Sequence, residues 1–176
     1  YKRQLYAAVH SAIHAIDPHA TVIVGGLGTT PNFVPSHDDP AWYVLAMLKS
    51  KPGLIGHIDG FGLHPYGATA GDTTQWVAHF RWALSVWGLR SVPIYVTEFG
   101  WPANVASGEA WRADQLRSLA LTLSRTNCGI RLLAPYDWSN PVLAGGGDDY
   151  GFVDQTGLDT LLRPAGAAWF AGLQAA

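Results

Sequence analysis

The chain has 176 residues, with 11 Lys and Arg against 13 Asp and Glu for a formal net charge of −2; this is length enough to bury the core of one domain. That balance supplies no basic stripe, which argues against nucleic acid and membrane surface as partners, and a 48% hydrophobic fraction excludes disorder. No apolar run reaches the roughly 18 to 20 residues of a transmembrane helix, the first residues carry no signal-peptide pattern, and the single Cys128 excludes an intramolecular disulfide.

Leu5, Val9, Ala12, Ile13 and Ile16 recur at helical spacing and predict an amphipathic helix over residues 1–17, with these five as its buried stripe and Pro18 as its stop. No Ser, Thr, Asp or Asn precedes it as a cap, so the chain is expected to begin inside an element. The run Thr21-Val22-Ile23-Val24-Gly25-Gly26 predicts a strand buried on both faces, as parallel strands are. Beyond a loop rich in Pro and Asp, residues 41–50 read as a helix. Residues 57–64 then read as a second buried strand, ended by Pro65. Asp72 is placed to cap a long helix through Trp76, Phe80, Leu84 and Trp87, with Gly88 as its terminator. A third strand follows over 93–99, a helix carries Trp111, Leu116, Leu119 and Leu123, and a fourth strand spans 130–136. Residues 164–175 close the chain as a short helix.

The strands begin about 36 residues apart without shared residues at corresponding positions, so the period is architectural and is not a sequence repeat. Four β-α units in a single domain fit half of an eight-stranded (β/α)8 barrel or a small doubly wound sheet. In both, ligands collect at the C-terminal ends of the strands. There the third strand presents Thr97-Glu98-Phe99-Gly100-Trp101, and a carboxylate closing an apolar strand requires partners to offset its desolvation. Alternation puts Ile94, Val96 and Glu98 on one face and Tyr95, Thr97 and Phe99 on the other. The second strand offers Gly60, Gly62, His64 and Tyr66 on a face that points at a cavity, where two glycines leave room and two polar rings stand at the end. The fourth brings out Tyr136 and Trp138, flat surfaces suited to the apolar face of a sugar ring. Eight Trp, seven Tyr and six Phe exceed the need of a small core, and some are expected to line a site.

These motifs resemble the C-terminal half of the clan A glycoside hydrolases, retaining glycosidases on a (β/α)8 barrel that include cellulase-like and β-xylosidase-like families. Tyr95-Val96-Thr97-Glu98-Phe99-Gly100-Trp101-Pro102 is similar to their seventh strand, whose Glu is the nucleophile. Gly60-Phe61-Gly62-Leu63-His64-Pro65-Tyr66 is similar to their sixth, which supplies a substrate-binding His and a Tyr that hydrogen-bonds the nucleophile. Tyr136-Asp137-Trp138-Ser139 is similar to their eighth, where a Trp forms the sugar platform, often followed by a cis peptide. Tyr150-Gly151-Phe152-Val153-Asp154 with Arg163-Pro164-Ala165 matches their closing segment, so the resemblance spans nearly the whole chain.

The resemblance implies a retaining β-glycosidase acting on oligo- or polysaccharides, with Glu98 as nucleophile and His64, Tyr66, Trp101, Tyr136 and Trp138 as substrate-binding residues. It also implies no cofactor, and secretion from a bacterium. The family's proton donor, a Glu after Asn at the end of the fourth strand, would lie before Tyr1. Of the two glutamates, Glu109 starts a helix, where the dipole accounts for it. Asp137, by parity, points away from the cavity. A half barrel exposes two sheet edges, so a second copy in a homodimer or a companion half-barrel chain is expected to cover them. A carbohydrate-binding or structural half barrel without turnover is the alternative.

Other signals carry less. His10 and His14 stand i, i+4, a start for a metal site, but no third ligand is evident and no metal is expected. Gly25-Gly26-Leu27-Gly28 lacks the third glycine and helix of a dinucleotide fingerprint. Gly145-Gly146-Gly147-Asp148-Asp149 reads as a flexible loop in preference to a calcium site. Cys128 reads as a small buried hydrophobe, and no serine has a nucleophile-elbow context.

Overall fold

The computed structural model describes residues 2–36, 39–103, 108–126, 128–139, 149–156 and 159–176, so Gly145 to Asp148 lie outside the described residues. The elements are α1 (Lys2–Ile16), β1 (Ile23–Gly28), α2 (Pro40–Ser50), a 3-10 turn (Pro52–His57), β2 (Gly60–His64) and α3 (Ala70–Val86). They continue with β3 (Ile94–Val96), α4 (Gly108–Arg125), β4 (Ile130–Leu133), the hairpin β5 (Val153–Thr156) and β6 (Asp159–Leu162), and α5 (Pro164–Gln174). Strands β1 to β4 form one parallel sheet in sequence order. A doubly wound sheet reverses its order at a switch point, whereas this order advances one strand at a time, as along the wall of a barrel.

Local chemistry accounts for the helix starts. The Asp39 carboxylate accepts the N–H groups of Ala41 at 2.7 Å and Trp42 at 3.1 Å, and Pro40 opens α2. In α3 the cap is Thr69. Asp72, expected in that role, instead reaches back to the Thr69 N–H at 3.1 Å as the other half of a capping box. Gly88, at φ +79°, ends this helix as expected.

The sheet has two unlike faces. Phe61 and Leu63 of β2 and Ile94 and Val96 of β3 are fully buried under the helices, with the Phe61 ring 5.7 Å from that of Phe80 in α3. On the other face, a Cβ added to Gly60 would strike the Tyr95 ring, and one added to Gly62 would lie 3.0 Å from the Gly25 Cα and 3.4 Å from Thr97 Oγ1. Thus Gly60, Gly62, Tyr95 and Thr97 share the inward side.

The structure departs from the sequence reading at several elements. Strand β1 starts two residues later than expected, and His57 belongs to the 3-10 turn and not to β2. The hairpin β5–β6, unannounced by any clean alternation, pairs residues 153–156 with 159–162. The largest correction concerns α1, whose supposed buried stripe faces outward: Leu5 is 64% and Ile16 89% exposed. Its inner side carries Tyr6 and His10, both buried, and half-buried His14. The Tyr6 hydroxyl, 3.0 Å from the Val22 carbonyl and 3.1 Å from that of His57, bolts the helix to the start of the sheet, and burial pushes its phenol up to about 12. No described helix is long and apolar enough to cross a membrane.

Candidate active site

Three of the six expected site residues meet at the C-terminal end of the sheet. The Tyr66 hydroxyl donates to Glu98 Oε1 at 2.6 Å, and His64 Nδ1 lies 3.0 Å from Glu98 Oε2. The Glu98 side chain is 32% exposed and that of His64 25%, so this is a wet, reachable pair and not a core contact. Among the described residues no lysine or arginine forms an ion pair with Glu98; its recorded partners are the imidazole and the phenol. Burial above all, and then the bond to Glu98, pushes the Tyr66 phenol well above its ordinary range, which keeps its proton available for donation.

Backbone geometry explains how Glu98 comes to face inward. Strict alternation through residue 98 would put it beside Ile94 and Val96, under the helices. Strand β3 ends at Val96, whose carbonyl takes the Ala134 N–H at 2.8 Å; beyond it the Thr97 N–H still reaches the Leu63 carbonyl at 3.1 Å and the Phe99 carbonyl takes the Tyr136 N–H at 2.7 Å, but strict alternation is not kept. Thr97 points inward, Glu98 reaches His64 and Tyr66, and Phe99 turns outward to the Trp169 ring at 5.3 Å. Room for the imidazole comes from β1, where the register slips between Val24 and Leu27 at Gly25-Gly26. Gly26 takes φ +67°, and a Cβ there would sit 3.6 Å from His64 Cε1.

The aromatic residues divide. Trp101 is only 5% exposed, its indole N–H donates to the Gly67 carbonyl at 2.7 Å and its ring meets Trp111 edge-on at 6.1 Å, so it is buried and its polar atom is engaged by protein. Tyr136 is 43% exposed, packs at 5.2 Å against the Tyr150 ring and contributes with it to the charge environment of Tyr66. Trp138 is 55% exposed, its carbonyl accepting the N–H groups of Phe152 and Val153 at 3.0 and 3.1 Å. The cis peptide lies at Tyr136–Asp137, one step before Trp138 and not after it. The Asp137 carboxylate folds onto the Trp138 backbone N–H. Tyr150 had no role assigned from the sequence, although it opens the closing motif that points to it.

Behind these rings stands a charged brace. Arg112, with no exposed surface, donates to the Gly151 carbonyl at 3.0 Å and to that of Tyr150, and pairs with Glu109 at 3.0 Å. Glu109 also accepts the Ala165 N–H at 3.0 Å, capping α5. Arg163 grips both Asp149 oxygens at 2.7 and 2.8 Å, which above all holds that carboxyl below the usual carboxylate range. Glu109 and Asp149 are thus bound in structural pairs.

At the opposite end of the sheet, His10 Nε2 and His14 Nε2 lie 3.3 and 3.0 Å from the two oxygens of Asp59. The third group that the sequence left unidentified is therefore present, 45 residues beyond His14.

Neither a family model nor a curated protein matches the chain. Solved structures do. A glucosidase from Croceicoccus marinus superposes with a TM-score of 0.68 at 14% identity, covering 98% of this chain and 35% of its own. A GH39 β-xylosidase from Caulobacter crescentus gives 0.61 at 20% identity, and a monomeric β-xylosidase from Caulobacter crescentus CB15 gives 0.65 at 18%, each covering 98% of this chain and 36% of its own. This chain therefore spans a little over a third of the length of the proteins it matches. At these identities the likeness is one of fold, a parallel four-stranded segment in keeping with half of a (β/α)8 barrel.

Proposed function

We propose that this chain carries the nucleophile side of a retaining β-glycosidase site, with Glu98 attacking the anomeric carbon of an oligo- or polysaccharide. The observation that carries this reading is the Glu98 carboxylate at the strand mouth, bonded by the Tyr66 hydroxyl at 2.6 Å and flanked by His64 at 3.0 Å, with no lysine or arginine paired to it among the described residues. The Tyr66 hydrogen bond and the nearby His64 imidazole orient the attacking carboxylate and leave its charge available. Tyr136 and Trp138 offer open aromatic surface for the sugar, while Trp101 acts as a wall behind the site.

Retaining hydrolysis needs a second carboxyl about 5 to 5.5 Å away, to protonate the leaving oxygen and then to activate water. Among the described residues none is recorded against Glu98, and the reading assigns that group to a part of the barrel beyond this chain or to a partner copy. The same observation favours the second reading, a saccharide-binding half barrel without turnover. An aryl β-glucoside or β-xyloside with a good leaving group separates the two, because its departure needs little protonation. The expected result is a burst of one phenolate per chain with the glycosyl group trapped on the Glu98 peptide by mass spectrometry, absent in Glu98→Gln. A burst that survives Glu98→Gln rejects the nucleophile assignment; saccharide binding with no burst supports the second reading.

A further inference from the structure

We propose that His10, His14 and Asp59 form a zinc site that clamps α1 to the start of β2, at the end of the sheet opposite Glu98. The two imidazoles stand i, i+4 on one face of α1, stacked with ring centroids 4.1 Å apart and planes 22° apart. Both turn Nε2 toward one carboxylate, at 3.3 and 3.0 Å, and all three ligand atoms lie within 4.8 Å of one another. A tetrahedral zinc ion with bonds of about 2.0 to 2.1 Å separates its ligand atoms by about 3.3 Å, so the spacings here, 3.3 and 3.0 Å to the two Asp59 oxygens and within 4.8 Å overall, need only a small inward adjustment to enclose the ion. Two imidazoles and one carboxylate suit zinc, whereas magnesium and calcium favour all-oxygen shells.

The surroundings hold these groups in place. Asp59 Oδ2 accepts the Val22 N–H at 2.8 Å, the kind of outer bond that orients a ligating carboxylate. Tyr6, one turn before His10, fastens α1 between the carbonyls of Val22 and His57. His10 and Asp59 are 11% and 25% exposed at the side chain and His14 27%, so an ion can enter from solvent and a water can complete the shell. Helix α1 is otherwise an odd fit, with its apolar stripe turned outward and its inward face carrying histidines. A metal clamp gives that inward face a purpose, since a cross-link between residues 10, 14 and 59 constrains the helix against the sheet by binding energy that the unfolded chain lacks.

The test uses the whole 176-residue chain, free of any affinity tag and stripped with chelator. Titration with zinc chloride in a calorimeter is expected to show one ion per chain and to raise the melting temperature, with magnesium leaving it unchanged. Cobalt(II) in place of zinc is expected to give the strong visible bands of a tetrahedral ion. His10→Ala and His14→Ala should each weaken zinc binding at least tenfold and remove the bands, and His14→Gln, which preserves ring-sized bulk on a partly exposed position, should do the same with an unchanged circular dichroism spectrum. His19→Ala, an exposed histidine outside the cluster, should bind like the parent chain. Absence of saturable uptake, uptake indifferent to His10 and His14, or equal loss in His19→Ala overturns the proposal.

Discussion

The Tyr66 hydroxyl is the shortest recorded contact to Glu98, and removing it isolates one hydrogen bond to a carboxylate without touching the core. Bonds to charged groups contribute about 1.5 to 3 kcal/mol, so Tyr66→Phe should slow the burst about 10- to 100-fold while lowering the melting temperature by about ten degrees at most. A burst rate equal to that of the parent would show the phenol to be a bystander. That Glu98, His64 and Tyr66 come together was legible because unusual residue types stand at strand ends: an acid after Tyr95-Val96-Thr97, an imidazole and a phenol after two glycines. Their aim was not. Parity places Glu98 with Ile94 and Val96, whereas its contacts with His64 and Tyr66, just past the end of β3, put it on the inward side, a break in alternation invisible in residue types. Asp59 shows the converse limit. Its partners His10 and His14 are adjacent to it only through the packing of α1 on the sheet, so no local pattern announces the trio.

Among the elements, the four parallel strands and the helices between them were readable because each is long enough to show its period or its apolar run. The hairpin β5–β6 was not, since four-residue strands such as Val153–Thr156 mix apolar and polar residues without a repeat. Helix α1 misled for a physical reason: an apolar stripe says only that something covers it, and here Leu5 and Ile16 are not covered by this chain. The segment from 149 to 163 lends itself to a pH test. Arg163 holds the Asp149 carboxyl below its ordinary range, so the pair stabilises the folded state above the unfolded carboxylate value of about 3.9 and loses that contribution as pH falls through the lowered folded value. Melting curves of the parent and of Asp149→Asn should differ at neutral pH and converge in acid, modestly, because the carboxylate is 39% exposed. A gap that persists or widens in acid would contradict the assignment.

At the scale of the molecule, β1 and β4 each have one neighbour in the sheet, and apolar surface accompanies both flanks: Leu5 and Ile16 on α1, Leu132 at 45% on β4 and Leu173 at 39% on α5. Unpaired strand edges beside exposed leucines are templates for association. The chain by itself is therefore expected to self-associate at micromolar concentration, and Leu5→Lys with Ile16→Lys to shift light-scattering mass toward the monomer. A clean monomer of the parent chain would show that these flanks need no cover. The short ladder of β3 reaches further than its three residues suggest. Since the acid faces inward where alternation is not kept beyond Val96, transplanting this motif into a different scaffold demands the same local break as well as the same letters. A host that kept strict alternation through that position would carry every correct residue and aim the carboxylate at its own insulation.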